Sequence, residues 1–150
     1  MLVRRIPSLL LFLSLIYKVS CHGSSLTFVI DKTGSMGDDI AQVRSEVDSI
    51  MDFVLDKRHT QISNIGLVTF DDPDDPELII MTNKREKLTT ALQSVRLGWG
   101  GDCAELALGG IKLGLESSLP GSYIYVFTDA SAKDYYMSEE IQQLCQRKQS

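Results

Sequence analysis

The ten residues Leu26-Thr27-Phe28-Val29-Ile30-Asp31-Lys32-Thr33-Gly34-Ser35 decide how the rest of the chain is read. Leu26 to Ile30 is a short, almost wholly apolar run that stops on the carboxylate of Asp31. An apolar run of that length, without alternation, fits a strand buried on both faces, as in parallel sheets. Lys32 to Gly37 reads as a turn. Beyond it apolar residues recur at Ile40, Val43, Val47, Ile50, Met51 and Val54, a helical spacing with one buried stripe. Strand, polar turn and amphipathic helix open an α/β unit.

Working outward, the same alternation continues. Gly66 to Phe70 and Leu78 to Met81 read as buried strands. Asp71-Asp72-Pro73-Asp74-Asp75-Pro76 between them is turn chemistry that joins antiparallel strands. Lys84 to Val95 is a polar helix, and Ala104 to Leu115 a Leu- and Gly-rich helix, apolar nearly all round and therefore buried. Tyr123 to Phe127 is another strand, and Ser138 to Arg147 a last helix. The order gives a doubly wound, mostly parallel sheet with helices on both faces. No internal repeat or low-complexity segment interrupts it. Tyr123 to Phe127 is apolar along nearly its whole length, which marks a central strand with a neighbour on each side. The first strand supplies one neighbour and no later strand follows. The domain, residues 24–150, is therefore expected to be C-terminally incomplete, with an exposed edge that favours association.

The first 21 residues read as a secretory signal peptide. Arg4 and Arg5 precede the apolar stretch Ile6 to Tyr17, and Val19-Ser20-Cys21 follows, with cleavage expected near Cys21–His22. That stretch is too short to span a bilayer comfortably, which argues against membrane insertion. The segment holds three cations and no acid, so its loss takes the formal charge down by three, from −5 to −8. An acidic body argues against nucleic acid and anionic lipid as partners and favours cations or basic protein surfaces. Cys103 and Cys145 are too few for a disulfide framework and match no zinc spacing. Cys103 lies in a loop at the carboxyl ends of the strands, and Cys145 about 10 Å down the last helix, beyond disulfide reach, so the two are expected to be unbonded.

In such sheets ligands bind at the carboxyl ends of the strands. Three polar clusters fall there: Asp31-Lys32-Thr33-Gly34-Ser35, Gly100-Gly101-Asp102 and Thr128-Asp129. Together they offer three carboxylates and several hydroxyls, a hard oxygen set suited to a divalent cation such as Mg²⁺, Mn²⁺ or Ca²⁺, and unsuited to zinc. Asp31-Lys32-Thr33-Gly34-Ser35 resembles the Asp-x-Ser/Thr-x-Ser signature of von Willebrand factor A domains. The resemblance covers Leu26 to about Gln149. Gly100-Gly101-Asp102-Cys103-Ala104-Glu105 and the stretch Leu119 to Ala130 are similar to the A domain that opens the hemicentins.

That resemblance implies a metal-ion-dependent adhesion site and a secreted, extracellular-matrix protein that binds an extracellular protein ligand or matrix component. Thr33 and Ser35 would ligate the metal through their hydroxyls. Asp31 and Asp129 would act directly or through water while holding those hydroxyls. Asp102 occupies the region where the family usually has a threonine. A third carboxylate neutralises more of the cation and weakens its pull on an acidic ligand side chain.

Other readings of the same residues stand beside these. Asp31, Ser35 and Asp102 are favoured helix N-caps. Asp71 to Asp75 reads as a solvated hairpin or a second calcium loop. Trp99 reads as a packed loop residue and His59 as a surface residue. The pentapeptide also resembles the phosphorylated loop of haloacid-dehalogenase-like phosphotransfer enzymes, with Asp31 as nucleophile, Thr69 as a second motif and Asp129 with Asp134 as paired acids. No lysine stands at a suitable late helix start before Asp129, and Lys112 lies inside the Leu-rich helix. The expectation is a binding module, and not an enzyme.

Overall fold

The computed structural model describes residues 23–56, 61–98 and 104–150. The expectations for the signal segment, His59, Trp99, Asp102 and Cys103 lie outside the described residues.

The elements follow the expected order. They are β1 (Ser24–Asp31), α1 (Ile40–Leu55), β2 (Ile62–Phe70), β3 (Glu77–Thr82), α2 (Arg85–Ser94), β4 (Ala104–Glu105), α3 (Ala107–Ser117), β5 (Tyr123–Phe127), β6 (Ser131–Ala132) and α4 (Ser138–Lys148). The main sheet runs β3-β2-β1-β5, with β1 parallel to both β2 and β5, and β3 antiparallel to β2. β1 is apolar on both faces because helices cover both. Leu26, Phe28 and Ile30 pack with Val43, Val47 and Met51 of α1 and with Leu88 and Leu92 of α2. On the other face Val29, Val68 and Phe70 meet α3, which in turn packs on α4 through Leu115, Ile141 and Leu144. Fully burying a side chain of this size stabilises by about 1.5–3 kcal/mol.

Gly110 and Gly114 let α3 lie close on the sheet. A Cβ on Gly110 would stand 2.8 Å from Phe70 Cδ1, and one on Gly114 would stand 2.9 Å from Val29 Cγ2.

One expectation needs correction. The Leu-rich helix begins at Ala107, not Ala104, because Ala104 and Glu105 pair with Ser131 and Ala132 as a second, two-stranded sheet. Inter-strand pairing overrides local helix propensity there. Tyr123–Phe127 pairs, among the described residues, with β1 alone, and Val126 is 39% exposed, the uncovered apolar edge expected of a C-terminally incomplete domain.

Candidate metal site

The site is a product of adjacency in the sheet. β1 and β5 are parallel neighbours, with Ile30 opposite Phe127, so the residues following both strands emerge side by side at the same end. Asp31 ends β1, Thr33 stands extended just before the 3₁₀ turn Gly34–Gly37, and Thr128-Asp129 follow β5.

Asp31 is fully buried and both its oxygens are occupied. Oδ1 accepts the Thr33 amide at 2.9 Å and the Thr33 hydroxyl at 2.6 Å, and Oδ2 accepts the Thr128 hydroxyl at 2.8 Å. The Ser35 hydroxyl donates to Asp129 Oδ1 at 3.2 Å. The Thr33 and Ser35 hydroxyl oxygens lie 3.0 Å apart. Each hydroxyl has a single proton. With Thr33 donating to Asp31 and Ser35 to Asp129, the contact between them has no proton of its own, and their lone pairs converge.

That spacing suits a small divalent cation. Adjacent oxygens around an octahedral Mg²⁺ bonded at about 2.1 Å lie about 3.0 Å apart, against about 3.4 Å for Ca²⁺ bonded at about 2.4 Å. Neither Asp31 nor Asp129 has an ion-pair partner among the described residues. The nearby cation, Lys32, is turned the other way. Its ammonium pairs with the buried Asp71 at 3.4 Å, at the end of β2, on the side of β1 away from β5. Among the described residues no group of three or more His, Cys, Asp or Glu side chains is placed to hold a metal. Here two of the converging groups are hydroxyls, and Asp102 lies outside the described residues.

Four of the five expected site residues, Asp31, Thr33, Ser35 and Asp129, thus come together in one cluster, with successive contacts of 2.6, 3.0 and 3.2 Å. The described residues flanking the third loop also reach the site loops. Gly98 N donates to Lys32 O at 2.7 Å, and Ala104 pairs with Ser131, just past Asp129.

The capping readings of Asp31 and Ser35 do not hold. α1 starts at Ile40 after Asp39, beyond reach of Asp31 and Ser35 as its N-caps. α3 has Leu106 at its N-cap position, with no side-chain capping bond. Its first-turn amides, Leu108 N and Gly109 N, donate instead to Asp134 at 3.1 and 2.6 Å. The acidic hairpin is not simply solvated either, since Asp71 pairs with Lys32 and Asp72 with Lys133. For phosphotransfer, Asp31 would need to be open to a phosphate and Asp134 to stand beside Asp129. Asp31 is fully buried, and Asp134 is spent on α3. Thr69 is buried on the α1–α2 face of the sheet, with no hydrogen-bond partner for its hydroxyl.

Sequence reasoning named Thr128 in its cluster without a role, and missed Asp134 as the brace of α3. Both act through bonds to residues far away in sequence, for which no local signal exists.

The sequence profile described as von Willebrand factor A domain matches residues 25–150. The chain is 45% identical over 127 residues to hemicentin-1 of Homo sapiens and of Mus musculus, covering 85% of this chain and 2% of those relatives. Hemicentin-2 of Mus musculus is 42% identical over 127 residues, with the same coverage. The chain therefore spans a small part of the length of these relatives. Among solved structures, proximal thread matrix protein 1 from the mussel byssus superposes with a TM-score of 0.54 at 18% identity, covering 81% of this chain and 35% of that one. The vWF domain of the type V pili tip protein Mfa5 from Porphyromonas gingivalis gives 0.50 at 19% identity, covering 72% and 38%. These two likenesses bear on the fold.

Proposed function

The chain belongs to the von Willebrand factor A family, and from that premise we propose that it is a secreted, cation-dependent adhesion module of the extracellular matrix, and not an enzyme. Residues 1–21 would be removed as the signal peptide, leaving the domain from residue 24. One observation carries the reading. The Thr33 and Ser35 oxygens face each other at 3.0 Å, each also in hydrogen-bond contact with a carboxylate, Asp31 and Asp129 respectively. Converging lone pairs flanked by two carboxylates are a cost to the fold unless a cation joins them.

In this reading Thr33, Ser35 and Asp129 face the cation, and Asp31 holds Thr33 in place from its buried position. Asp102 contributes the fifth group, in the loop whose flanks reach the cluster. Mg²⁺ fits the oxygen spacing best, with Mn²⁺ close and Ca²⁺ looser. When bound, the cation supplies a positive coordination point for an oxygen of an extracellular protein or matrix ligand. With three carboxylates around it that point is weaker toward an acidic side chain than a site with two. The likeness to the hemicentins supports the adhesive setting.

The test is thermal unfolding with Mg²⁺, Mn²⁺ or Ca²⁺ against chelator. A ligand at about 100 times its Kd stabilises the folded state by about 2.7 kcal/mol, on the order of 10 °C for a domain of this size. Asp31→Ala and Ser35→Ala should each remove the rise. Identical melting curves with cation and with chelator would defeat the reading. So would an acyl phosphate on Asp31 after incubation with a phosphate donor, which would restore the phosphotransfer reading.

A further inference from the structure

Thr69 is out of keeping with the core around it. It is fully buried on β2, and its hydroxyl has no hydrogen-bond partner. Buried polar atoms are nearly always paired, and a buried hydroxyl without a partner destabilises a fold. Valine has the same branched shape and would fill the place without that penalty.

Thr69 lies in the lining of a cavity of about 280 Å³ between β2, β3 and the end of α2. Ile79 and Val95 give the cavity apolar walls, and Lys32, Glu77 and Arg96 its charged groups. It sits on the β3 side of the sheet, two strands away from β5, and no residue of β5 or α4 lines it. Its donors outnumber its acceptors. Lys32 meets Asp71 through one oxygen at 3.4 Å, which leaves ammonium protons to spare. Arg96 has no ion-pair partner among the described residues, and its guanidinium is a fork of N–H donors. The Thr69 hydroxyl adds a further donor. Against them stands the exposed carboxylate of Glu77, the cross-strand neighbour of Thr69. The negative end of α2 is offset, since Arg44 donates to Val95 O at 3.3 Å.

We infer that this cavity is a subsite for a carboxylate, the acidic side chain of a partner protein. Its oxygens meet the Arg96 fork and the Lys32 ammonium, and one of them accepts the Thr69 proton. Such charge-assisted bonds are the strong ones, and the guanidinium fork matches a carboxylate in shape. The methylenes of a glutamate lie against Ile79 and Val95, a stem that a sugar acid lacks. Glu77 opposes the same carboxylate, and that fixes the sign of the sharpest test. The inference uses none of Asp31, Thr33, Ser35 or Asp129, and it stands whether or not the cation reading does.

The test is a methyl-detected NMR titration of the cation-free chain, dialysed clear of chelator because chelators are themselves polycarboxylates. The probe is glutamate blocked as its acetyl and methylamide derivative. It should shift the Thr69 and Ile79 methyl resonances to saturation, while the glutamine analogue leaves them in place. Arg96→Met should raise the dissociation constant about tenfold. Glu77→Gln should lower it, because a like charge is removed. Thr69→Val should weaken binding and leave the free chain no less stable, as expected of a hydroxyl with no partner. A lower melting temperature for Thr69→Val overturns the inference, because the hydroxyl is then satisfied by the protein or by water. So does weaker binding in Glu77→Gln, the mark of a cation subsite. Preference for glucuronate over blocked glutamate overturns it in favour of a saccharide, and methyl resonances that stay unmoved overturn it outright.

Discussion

The two ends of the sheet carry polar networks of opposite character. At the carboxyl end, Asp31, Thr33, Ser35, Thr128 and Asp129 gather two carboxylates and three hydroxyls with no ion-pairing cation among the described residues. At the amino end the network is closed. Thr27 Oγ1 meets Ser118 Oγ at 2.7 Å, Ser118 passes its proton to Gly114 O at 2.7 Å, Ser25 N donates to Ser122 Oγ at 2.7 Å, and Leu119 N donates to Ser25 Oγ at 2.9 Å. Lys148 of α4 places its ammonium on the carbonyls of Leu115, Glu116 and Ser118, at 2.6, 3.1 and 2.6 Å, at the C-terminus of α3. A cation is favoured at a helix C-terminus, and there the lysine provides it. The chain supplies the positive charge to the amino-end network; in the function proposed above, a bound cation would supply it to the Asp31–Asp129 cluster.

That contrast can be broken by substitution, with chelator and cation as the two conditions. Lys148→Met should have the largest effect on chelator-treated protein, a loss of about 2–3 kcal/mol in urea unfolding, since hydrogen bonds to a charged group are worth about 1.5–3 kcal/mol. The loss should be the same with cation. A loss that changes on adding Mg²⁺ would mean the ends are coupled. Asp31→Ala comes next. It strips the Thr33 amide and hydroxyl and the Thr128 hydroxyl of their acceptor, about 1–3 kcal/mol in chelator, and it should also abolish the response to cation.

Asp134→Ala removes the brace on α3, about 1 kcal/mol by analogy with capping residues, and should weaken the cation response without abolishing it. Full retention of the response would show that α3 does not position the site. Thr27→Val tests the closed end alone, with a loss of about 1 kcal/mol that cation leaves unchanged. Ser35→Ala should be nearly silent in chelator, because Ser35 is exposed, yet lose the thermal shift. It sharpens the comparison most, since it separates a group that holds the fold from one that serves a ligand.

The parts of the molecule legible in sequence are those where one segment carries its own signal. The run Leu26–Ile30 announced a doubly covered strand, the spacing from Ile40 to Val54 announced α1, and Asp31-Lys32-Thr33-Gly34-Ser35 at a strand end announced a hard-oxygen cluster. What stayed hidden depends on contacts between distant segments. Ala104-Glu105-Leu106 are good helix formers, and only pairing with Ser131-Ala132 keeps them out of α3. Asp134 reads as a loop acid, and nothing near it in sequence points to amides 25 and 26 residues earlier. Asp71 sits in an acid-rich turn that looks solvated, yet Lys32 draws it into a buried ion pair.

The sheet order also sets a timetable. The β2–β3 hairpin joins neighbouring segments, while Thr128 reaches Asp31, and Ser122 reaches Ser25, across 97 residues each. Closing long loops is slow relative to local pairing, so contacts of β5 with β1 belong to the late part of folding. The oxygen cluster comes into being only when that contact is made. A cation binding there gains its hold after the rate-limiting step, and stabilisation absent from the transition state slows unfolding without speeding folding. In stopped-flow measurements Mg²⁺ should therefore lower the unfolding rate and leave the refolding rate where it is, so that the occupied domain persists longer and forms no sooner.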